Sequence, residues 1–589
     1  MKLALPAVAT AVALLGVGIT LTATQSAEAA GARVSAAPQK LTEPSQSELR
    51  KRVIAAMEGD AVSKRSLVKQ PDSAAENTAE DTTESGTTSA PAARIIGGQE
   101  TTISSAPWMA QLYFRDSSGA GYFCGGVVIA PTKVATAAHC VKGIRWYETG
   151  TVVVGTDQLP TTNADGSLDY HGGEARGAYR QWNHPQYSPY TVNNDVAVLT
   201  LTSPVSVKTL PLAQPTDSAL YQPGLDGKVY GWGRTSSTNP DSASQTLKVA
   251  DADIVSDADC ATAYPDGFIA GSMLCAGAPP TGDDATSETT CNGDSGGPLV
   301  VQGKLVGIVS WGDEDCSAAG KYGVYAKVST YSAHIQSRVD DTNWNNDHTA
   351  DLLARRTSDN TLFGWTSRVT SFARTQNLGS FGGVTLAVQA DLDRDDNQDI
   401  LYRVSNGDVY WDHFVPSLGE WQSKLVAVKW GTHKQILVPG DVTGDELPDM
   451  IAVDSAGTMR VYPGRGNGGF QAPISNGTGW GNFTMMRGHG DFTHDGNADI
   501  FARYADGRTF LYKGMGATSS RVFDHPVLVG AFGYMNAIVT TGDVNTDGVA
   551  DVLTRDKAGA LWLYPGDGNG RFKSRVAFGT GWQAYSLFG

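Results

Sequence analysis

Three widely separated residues in the first half of the chain have the types that nucleophilic catalysis requires. Ser295 lies in a Gly-Asp-Ser-Gly-Gly run, His139 in Thr-Ala-Ala-His-Cys, and Asp195 in Asn-Asn-Asp-Val-Ala-Val. A serine hydroxyl is a poor nucleophile unless a base, most often histidine, removes its proton as it attacks. The Gly-x-Ser-x-Gly pattern alone is weak evidence, because unrelated hydrolases carry it. The three segments together supply a nucleophile, a base and a carboxylate.

The order of these segments and their neighbouring residues resemble the trypsin/chymotrypsin family of serine proteases over residues 95 to about 341. The resemblance implies a serine endopeptidase in which Ser295 attacks the scissile carbonyl. It further implies that His139 transfers the proton and that Asp195 orients the imidazole and stabilises its charged form. The backbone N–H groups of Gly293 and Ser295 are then expected to form the oxyanion hole, and catalysis needs no cofactor.

The six cysteines all lie within one stretch of the chain, and their even number is typical of an oxidising compartment. Their spacing alone leaves fifteen pairings open. The family resemblance implies three disulfides, Cys124–Cys140, Cys260–Cys275 and Cys291–Cys316.

The first thirty residues have the pattern of an export signal. Lys2 precedes an apolar run from Leu3 to Ala23, and Ala27 to Ala29 have the small-x-small pattern of a cleavage site. The run is also long enough for an uncleaved membrane anchor, which is the alternative interpretation. We expect removal of residues 1–30 and a secreted, extracellular protein that leaves the membrane.

Residues 31–94 contain no cysteine and no aromatic residue, and residues 72–93 have the composition of a disordered linker. They end at Arg94, followed by Ile-Ile-Gly-Gly. The family resemblance implies that cleavage after Arg94 frees the amine of Ile95, which pairs with Asp294 and orders the oxyanion hole. Residues 31–94 are therefore interpreted as a propeptide and the precursor as a zymogen. The alternative is that Arg94 is an ordinary solvated charge.

The resemblance also predicts the pocket that recognises the substrate. Thr289 stands at its base, where trypsin-like members carry an aspartate. Ser310, Trp311 and Gly312 form one side, and Gly323 matches the second wall glycine. Such a pocket should be open to a large side chain, and its neutral base favours an apolar one.

The loop from residue 278 to 289 leaves the opposite preference open. It holds Asp283, Asp284 and Glu288, and an acid from this loop could enter the pocket and restore cleavage after Arg or Lys. The sequence does not decide the cleavage preference, the natural substrate or the activating protease.

Short Val- and Ile-rich runs alternate with Gly, Pro, Asn and Asp turns from Ile95 onward, which predicts an all-β fold. The family resemblance implies a chymotrypsin-like double β-barrel. Helical spacing of Tyr331, Ile335 and Val339 predicts a helix at the end of this domain.

Five acidic segments begin at residues 343, 391, 441, 491 and 543, so the repeat is about fifty residues long. Each leads into an apolar strand and then an aromatic strand, which predicts a β-propeller of about five blades. The segments resemble FG-GAP/VCBS-type repeats over residues 343–589. The predicted layout is a signal peptide (1–30), a propeptide (31–94), a protease domain (95–341) and a repeat propeller (342–589).

Oxygen side chains at positions 1, 3, 5 and 9 of each segment can converge on a hard cation, of which Ca²⁺ is the expected one outside the cell. The alternative for the three weaker segments, which begin at residues 343, 441 and 491, is that their Asp residues only make turns. The candidate ligands are Asp391, Asp393, Asp395, Asp399, Asp441, Asp445, Asp449, Asp491, Asp495, Asp499, Asp543, Asn545, Asp547 and Asp551.

The formal net charge of −16 argues against nucleic acid or an anionic membrane as the main partner. We expect a monomer that acts on proteins or peptides. The propeller is either a targeting module for a surface or polysaccharide, with Trp365 or Trp411 stacking on sugars, or a stabilising appendage. The alternative for the whole chain is a catalytically weak binding protein or adhesin with a protease fold. It predicts a substituted triad or a damaged oxyanion turn, and the sequence has neither.

Overall fold

The structure is a computed structural model that describes residues 43–58, 95–345, 347, 349–517 and 521–589. The predicted signal peptide, the segment 72–93 and Arg94 lie outside the described residues. The described residues are mainly β-structure, which confirms the all-β prediction.

Sixteen strands and four α-helices occur among the described residues before the repeats. The helices are α1 (Gln46–Glu58), α2 (Trp146–Thr149), α3 (Asp257–Ala263) and α4 (Val328–Asp340). The strands are β1 (Gln99–Glu100), β2 (Met109–Arg115), β3 (Gly121–Ala130), β4 (Lys133–Thr136), β5 (Thr151–Val154), β6 (Thr161–Thr162), β7 (Leu168–Asp169), β8 (Glu174–Arg176), β9 (Ala178–Asn183), β10 (Ala197–Leu201), β11 (Lys228–Gly231), β12 (Lys248–Asp251), β13 (Met273–Ala276), β14 (Pro298–Val301), β15 (Lys304–Trp311) and β16 (Gly323–Lys327).

Fourteen of these strands form two antiparallel seven-stranded sheets, in the orders β8-β5-β2-β3-β4-β10-β9 and β1-β12-β11-β14-β15-β16-β13, and β6 pairs with β7. Helix α4 follows directly, and its Tyr331 and Ile335 are buried in the core. The predicted terminal helix is therefore confirmed. Helix α1, in contrast, was not predicted from the sequence.

Twenty further strands form five four-stranded antiparallel sheets, which confirms the five-bladed propeller. The strands are β17 (Leu352–Arg356), β18 (Thr361–Ser367), β19 (Phe372–Ser380), β20 (Val384–Ala390), β21 (Asp399–Val404), β22 (Val409–Val415), β23 (Glu420–Ala427), β24 (Gln435–Gly440), β25 (Asp449–Val453), β26 (Met459–Tyr462), β27 (Ile474–Ser475), β28 (Phe483–Arg487), β29 (Ile500–Tyr504), β30 (Arg508–Tyr512), β31 (Val527–Ala531), β32 (Met535–Gly542), β33 (Asp551–Asp556), β34 (Leu561–Tyr564), β35 (Val576–Gly579) and β36 (Tyr585–Phe588).

The ring of blades is closed by strands from its two ends. The last strand, β36, pairs with β17 and completes the sheet β19-β18-β17-β36, with Phe588 opposite Ala354. Aromatic side chains fill the blades: Trp411 is buried, and Trp365 packs against Trp582 with ring centroids 4.7 Å apart. Both tryptophans considered for sugar stacking therefore pack within the propeller.

One carboxylate in each repeat ties the acidic loop to its blade. The Asp449 carboxylate accepts N–H bonds from Val442 at 2.9 Å and Gly464 at 3.0 Å. Asp449 is the ninth residue of its acidic segment. Because the carboxylate at this position accepts backbone N–H bonds, it has a structural role with or without a metal ion. The equivalent residues, all buried, are Asp351, Asp399, Asp499 and Asp551.

An arginine in four of the five repeats holds the turn that leads to the next blade. Arg403 donates from Nη1 to the carbonyls of Trp430 at 3.1 Å and His433 at 2.9 Å. In the third repeat Val453 occupies this position. The other arginines of this kind are Arg355, Arg503 and Arg555.

The acidic loops face the protease side of the molecule. Asp396 lies in the acidic loop that begins at Asp391 and forms buried ion pairs with Lys133 of β4 and Arg180 of β9. Arg394 pairs with Asp340 at the end of α4, at 2.9 Å. A buried ion pair requires both partners to be in place, so the propeller is docked against β4, β9 and α4 in a defined position.

Replacing Arg403 by Ala should lower the free energy of unfolding by about 1.5–3 kcal/mol, because two carbonyls lose a charged donor. The measurement is chemical denaturation of the full chain. The matched control is Arg508→Ala, which removes an exposed ion pair with Asp506 and should cost about 0–1 kcal/mol. Equal effects of the two substitutions would contradict the role given to Arg403.

Candidate active site

The pairing of β4 with β10 brings His139 and Asp195 together. Thr136 at the end of β4 lies opposite Ala197 at the start of β10. His139 follows in a 3₁₀ turn over Ala138–Cys140, and Asp195 lies two residues before the start of β10. The two side chains come from adjacent ends of neighbouring strands, so the sheet register fixes their distance.

The Asp195 carboxylate is almost fully buried and bonded on both oxygens. Oδ2 lies 2.8 Å from Nδ1 of His139, and Oδ1 accepts the His139 backbone N–H at 2.8 Å. The Ser310 hydroxyl also donates to Oδ2, at 2.6 Å. A carboxylate at Nδ1 favours the tautomer that leaves Nε2 unprotonated. Nε2 is buried and has no hydrogen-bond partner among the described residues.

Ser295 lies in the turn before β14 and is held by both sheets. Its carbonyl accepts the Gly125 N–H of β3 at 2.8 Å, and the next N–H, of Gly296, donates to Val309 of β15 at 2.8 Å. The residue is completely buried. The turn thus places the serine where the two sheets meet.

Gly293 is required by the turn's backbone. Its φ is +101°, and a Cβ at this position would lie 2.8 Å from the Cα of Gly233. Only glycine combines this conformation with such a close approach.

Asp294 is a buried acid, and no salt bridge to it occurs within the described part of the chain. Its two oxygens accept the N–H groups of Gly233 and Cys291, each at 2.9 Å. Burial raises the pKa of the carboxyl to about 7, although the two N–H bonds oppose this shift. The site therefore holds a carboxylate that gains from a positive charge beside it.

Ile95 and Ile96 are fully buried. Ile95 packs in a cluster that includes Tyr325, and the pKa of this tyrosine is raised by burial and further by the Asp294 carboxylate. The Ile96 carbonyl accepts the Thr289 N–H at 3.1 Å. The segment after the predicted cleavage point thus lies against the predicted pocket base.

Thr289, Gly312 and Gly323 line one small cavity of about 10 Å³, roughly the space of one water molecule. Ser310 and Trp311, which precede Gly312 at the end of β15, do not themselves line this cavity. Ser310 points to Asp195, and Trp311 is buried with its ring 4.9 Å from that of Tyr264.

The three acids that could have entered the cavity have other partners. Asp284 accepts from the Ser236 hydroxyl at 2.8 Å, and Glu288 accepts the Asp251 N–H at 3.0 Å. Asp283 accepts an N–H bond within its own loop. The acid that lines the cavity is instead Asp313, which the sequence analysis did not select. Its position two residues after Trp311 was the available signal.

The three disulfides are those that the family resemblance implies: Cys124–Cys140, Cys260–Cys275 and Cys291–Cys316. The first fixes the turn that carries His139, and the third fixes the start of the serine turn. No free cysteine occurs in the described residues.

Comparison with known proteins agrees with this geometry. The trypsin family model matches residues 95–335, and the FG-GAP-like repeat model matches residues 441–502. A trypsin of Saccharopolyspora erythraea is 37% identical over 245 residues, which cover 42% of this chain and 98% of that protein. Serine protease 1 of Rattus norvegicus is 36% identical over 254 residues, covering 42% of this chain and 90% of that protein.

The chain belongs to the trypsin family of serine proteases. It is a serine endopeptidase whose family domain is followed by an FG-GAP-like repeat propeller. No helix in the ranges that the structure describes has the length and apolar character needed to cross a membrane.

In this trypsin-family protease, the 391 loop brings carboxylate oxygens of Asp391, Asp393 and Asp399 within 4.8 Å of one another. Burial and mutual repulsion raise the pKa of all three. Oδ1 of Asp393 and Oδ1 of Asp399 are buried without a hydrogen-bond partner in the structure described. Asp395 turns toward its own loop, where it accepts the Asn397 N–H at 2.8 Å. Unpaired, crowded oxygens are the chemistry that a hard cation would satisfy.

The loops at 441 and 491 bring three carboxylates together in the same way, through Asp441, Asp445 and Asp449, and through Asp491, Asp495 and Asp499. In the 441 loop the Thr443 hydroxyl is also buried and unpaired among the described residues.

Two cations of the protein approach the 543 loop, as Lys513 approaches Asp495 of the 491 loop at 2.8 Å. Lys573 pairs with Asp547 at 2.9 Å, and Arg338 lies 3.7 Å from Asp543. Asn545 donates to Asp551 at 3.4 Å. Within the residues described, this loop does not gather three carboxylates as the loops at 391, 441 and 491 do.

Proposed function

We propose that the protein is a secreted endopeptidase, made as a zymogen, with His139, Asp195 and Ser295 as its catalytic triad. The observation that carries the proposal is the buried Asp195 carboxylate, bonded to Nδ1 of His139 at 2.8 Å. The signal peptide (1–30) and propeptide (31–94) precede the protease domain (95–341) and the propeller (342–589). The three disulfides support secretion.

In the proposed reaction the Ser295 hydroxyl attacks the scissile carbonyl while Nε2 of His139 takes its proton. The N–H groups of Gly293 and Ser295 bind the oxyanion of the tetrahedral intermediate. The peptide C–N bond breaks as His139 returns the proton to the leaving amine, which leaves an acyl-enzyme. Water then attacks the ester with His139 again as base, and Asp195 stabilises the imidazolium in both halves.

The proposed activation of the zymogen depends on the buried carboxylate of Asp294. Cleavage after Arg94 would place the new ammonium group of Ile95 in the barrel that encloses the Asp294 carboxylate. A buried ion pair would then hold the turn that carries Gly293 and Ser295. Two features of the uncut chain support this scheme: Asp294 has no cation beside it among the described residues, and Ser295 is fully buried.

The proposal is tested with an organophosphonate probe and kinetics on the full chain. Processed protein should be labelled at Ser295, and Arg94→Gln should remain uncut, unlabelled and inactive. Ser295→Ala should lower kcat about a millionfold, and Asp195→Asn about ten-thousandfold. Ser310→Ala keeps the triad and removes one hydrogen bond to Asp195, so kcat should fall about tenfold.

Melting temperatures should show that each variant is folded. Full activity of the uncut Arg94→Gln protein would refute the zymogen, and absence of labelling after cleavage would favour the alternative of a binding protein with a protease fold.

Stability should depend on pH differently before and after cleavage. In the uncut chain the raised pKa of Asp294, about 7, means that stability contributed by the neutral carboxyl is lost as pH rises from about 4 through 7. In the cut chain the Ile95 ammonium compensates the charge. We expect the difference in melting temperature between cut and uncut Ser295→Ala protein to be larger at pH 8 than at pH 5. If this difference in melting temperature were the same at both pH values, the pairing of the Ile95 ammonium with Asp294 would be ruled out.

We propose that calcium stabilises the propeller through the loops at 391, 441 and 491. Calcium at a hundredfold excess over its Kd should raise the free energy of unfolding by about 2.7 kcal/mol, and a chelator should abolish this gain. Asp393→Asn should reduce the gain and should also stabilise the calcium-free protein, because one of the crowded charges is removed.

The control for calcium is Asp359→Asn, because Asp359 is exposed, pairs with Arg356 and lies outside the loops at 391, 441 and 491. Unchanged melting of the native protein in chelator would exclude structural calcium.

A further inference from the structure

Helix α1 covers the outer face of the first sheet. Along β2, Ala110, Leu112 and Phe114 belong to the barrel core, whereas Met109 and Tyr113 pack in a second cluster with the helix. A sheet whose outer face met water would show alternate exposure along each strand. Strand β2 is instead buried at every position except its last, which is half-buried.

The helix contributes one apolar stripe to this cluster. Leu49, Val53 and Ala56 are completely buried, at the spacing that places residues on one helical face. They share the cluster with Phe123 of β3 and Val153 of β5. Removal of the helix would bring large apolar side chains of the sheet into contact with water.

Polar contacts fix the position of the helix on the sheet. Arg52 donates to the carbonyls of Tyr147 at 3.1 Å and Gly150 at 3.2 Å, and Gln46 donates to the Ala175 carbonyl at 3.2 Å. These hydrogen bonds satisfy backbone carbonyls of the protease domain and hold the helix at two points, Gln46 and Arg52.

The sheet itself is shaped for this helix. A Cβ on Gly121, in β3, would lie 2.0 Å from the Ala56 carbonyl oxygen, so only glycine permits the approach. At the other end the Ser203 hydroxyl donates to Glu43 at 2.8 Å. The fit involves residues on both sides of the contact.

We propose that residues 43–58 stay bound to the protease after cleavage, as a noncovalent second chain that completes its fold. The inference rests on the proposed cleavage after Arg94. Helix α1 ends at Glu58, 36 residues before the scissile bond, so cutting there breaks none of its contacts. The chain has no cysteine before Cys124, so only the noncovalent contacts can retain the segment.

The test uses the full chain with residues 90–94 replaced by an enteropeptidase recognition sequence, so that cleavage does not depend on a natural activator. After cutting, the peptide that contains residues 43–58 should co-elute with the protease in size exclusion. Native mass spectrometry should give the mass of both chains together, and denaturant should separate them.

A matched pair of substitutions tests the buried face of helix α1. Val53→Asp places a carboxylate in the apolar cluster and should weaken binding of the peptide to the protease more than about tenfold. Lys51→Asp places the same carboxylate at an exposed position, so the peptide should stay bound. If Val53→Asp does not fold, Arg52→Ala keeps the apolar stripe and should release the peptide faster after cutting.

Phosphonate labelling of Ser295 in the same samples separates this inference from the proposed function. Release of the native peptide from an enzyme that stays labelled, active and equally stable would overturn the inference and leave the activation scheme intact. Retention of the peptide without labelling would contradict the activation scheme only. Equal release from native, Val53→Asp and Arg52→Ala proteins would also overturn the inference.

Discussion

The enclosure of one carboxylate, that of Asp294, constrains more of this molecule than any other single interaction. Gly231 and Gly233 must lack side chains because a Cβ on either would collide with this carboxylate. The Gly233 N–H binds it, and Gly293 packs against the Gly233 backbone. The serine turn, its two glycine-flanked neighbours and the burial of Ile95 are therefore parts of one electrostatic arrangement, in which an unneutralised charge is costly. The same residue types would lack this coupling on an open surface.

The two halves of the chain depend on each other through a second set of buried charges. Asp396 forms ion pairs with both Lys133 and Arg180, so the protease domain packs against the acidic side of the propeller. A tethered module would leave that side free. The outer strands of the propeller stay open to a ligand, and apolar side chains such as Val527 and Leu528 are exposed there. This geometry agrees with a stabilising role and restricts where a targeting role could reside.

Much of the architecture could be predicted because its signals are local or periodic. The repeat length indicated the blades, and the segments around His139, Asp195 and Ser295 carried the family resemblance. The features that escaped prediction join residues distant in sequence. No residue near Ser310 in the sequence indicates that its hydroxyl donates a hydrogen bond to Asp195. Likewise, the Lys133–Asp396 ion pair joins residues of two different domains. The burial of Leu49 and its neighbours is a missed feature with a local signal, namely their helical spacing within the segment 31–94.

The pairing of β36 with β17 closes the ring of blades with a strand far along the chain from its partner. The Gly589 N–H and carbonyl exchange hydrogen bonds with Leu353, each at 3.2 Å, so the first blade is incomplete until β36 has been synthesised. During synthesis the protease domain can assemble while this ring is still open. A frameshift within the codons of β36 would therefore act on a blade encoded more than two hundred codons upstream. An affinity tag inserted beside β36 would be attached where the ring closes.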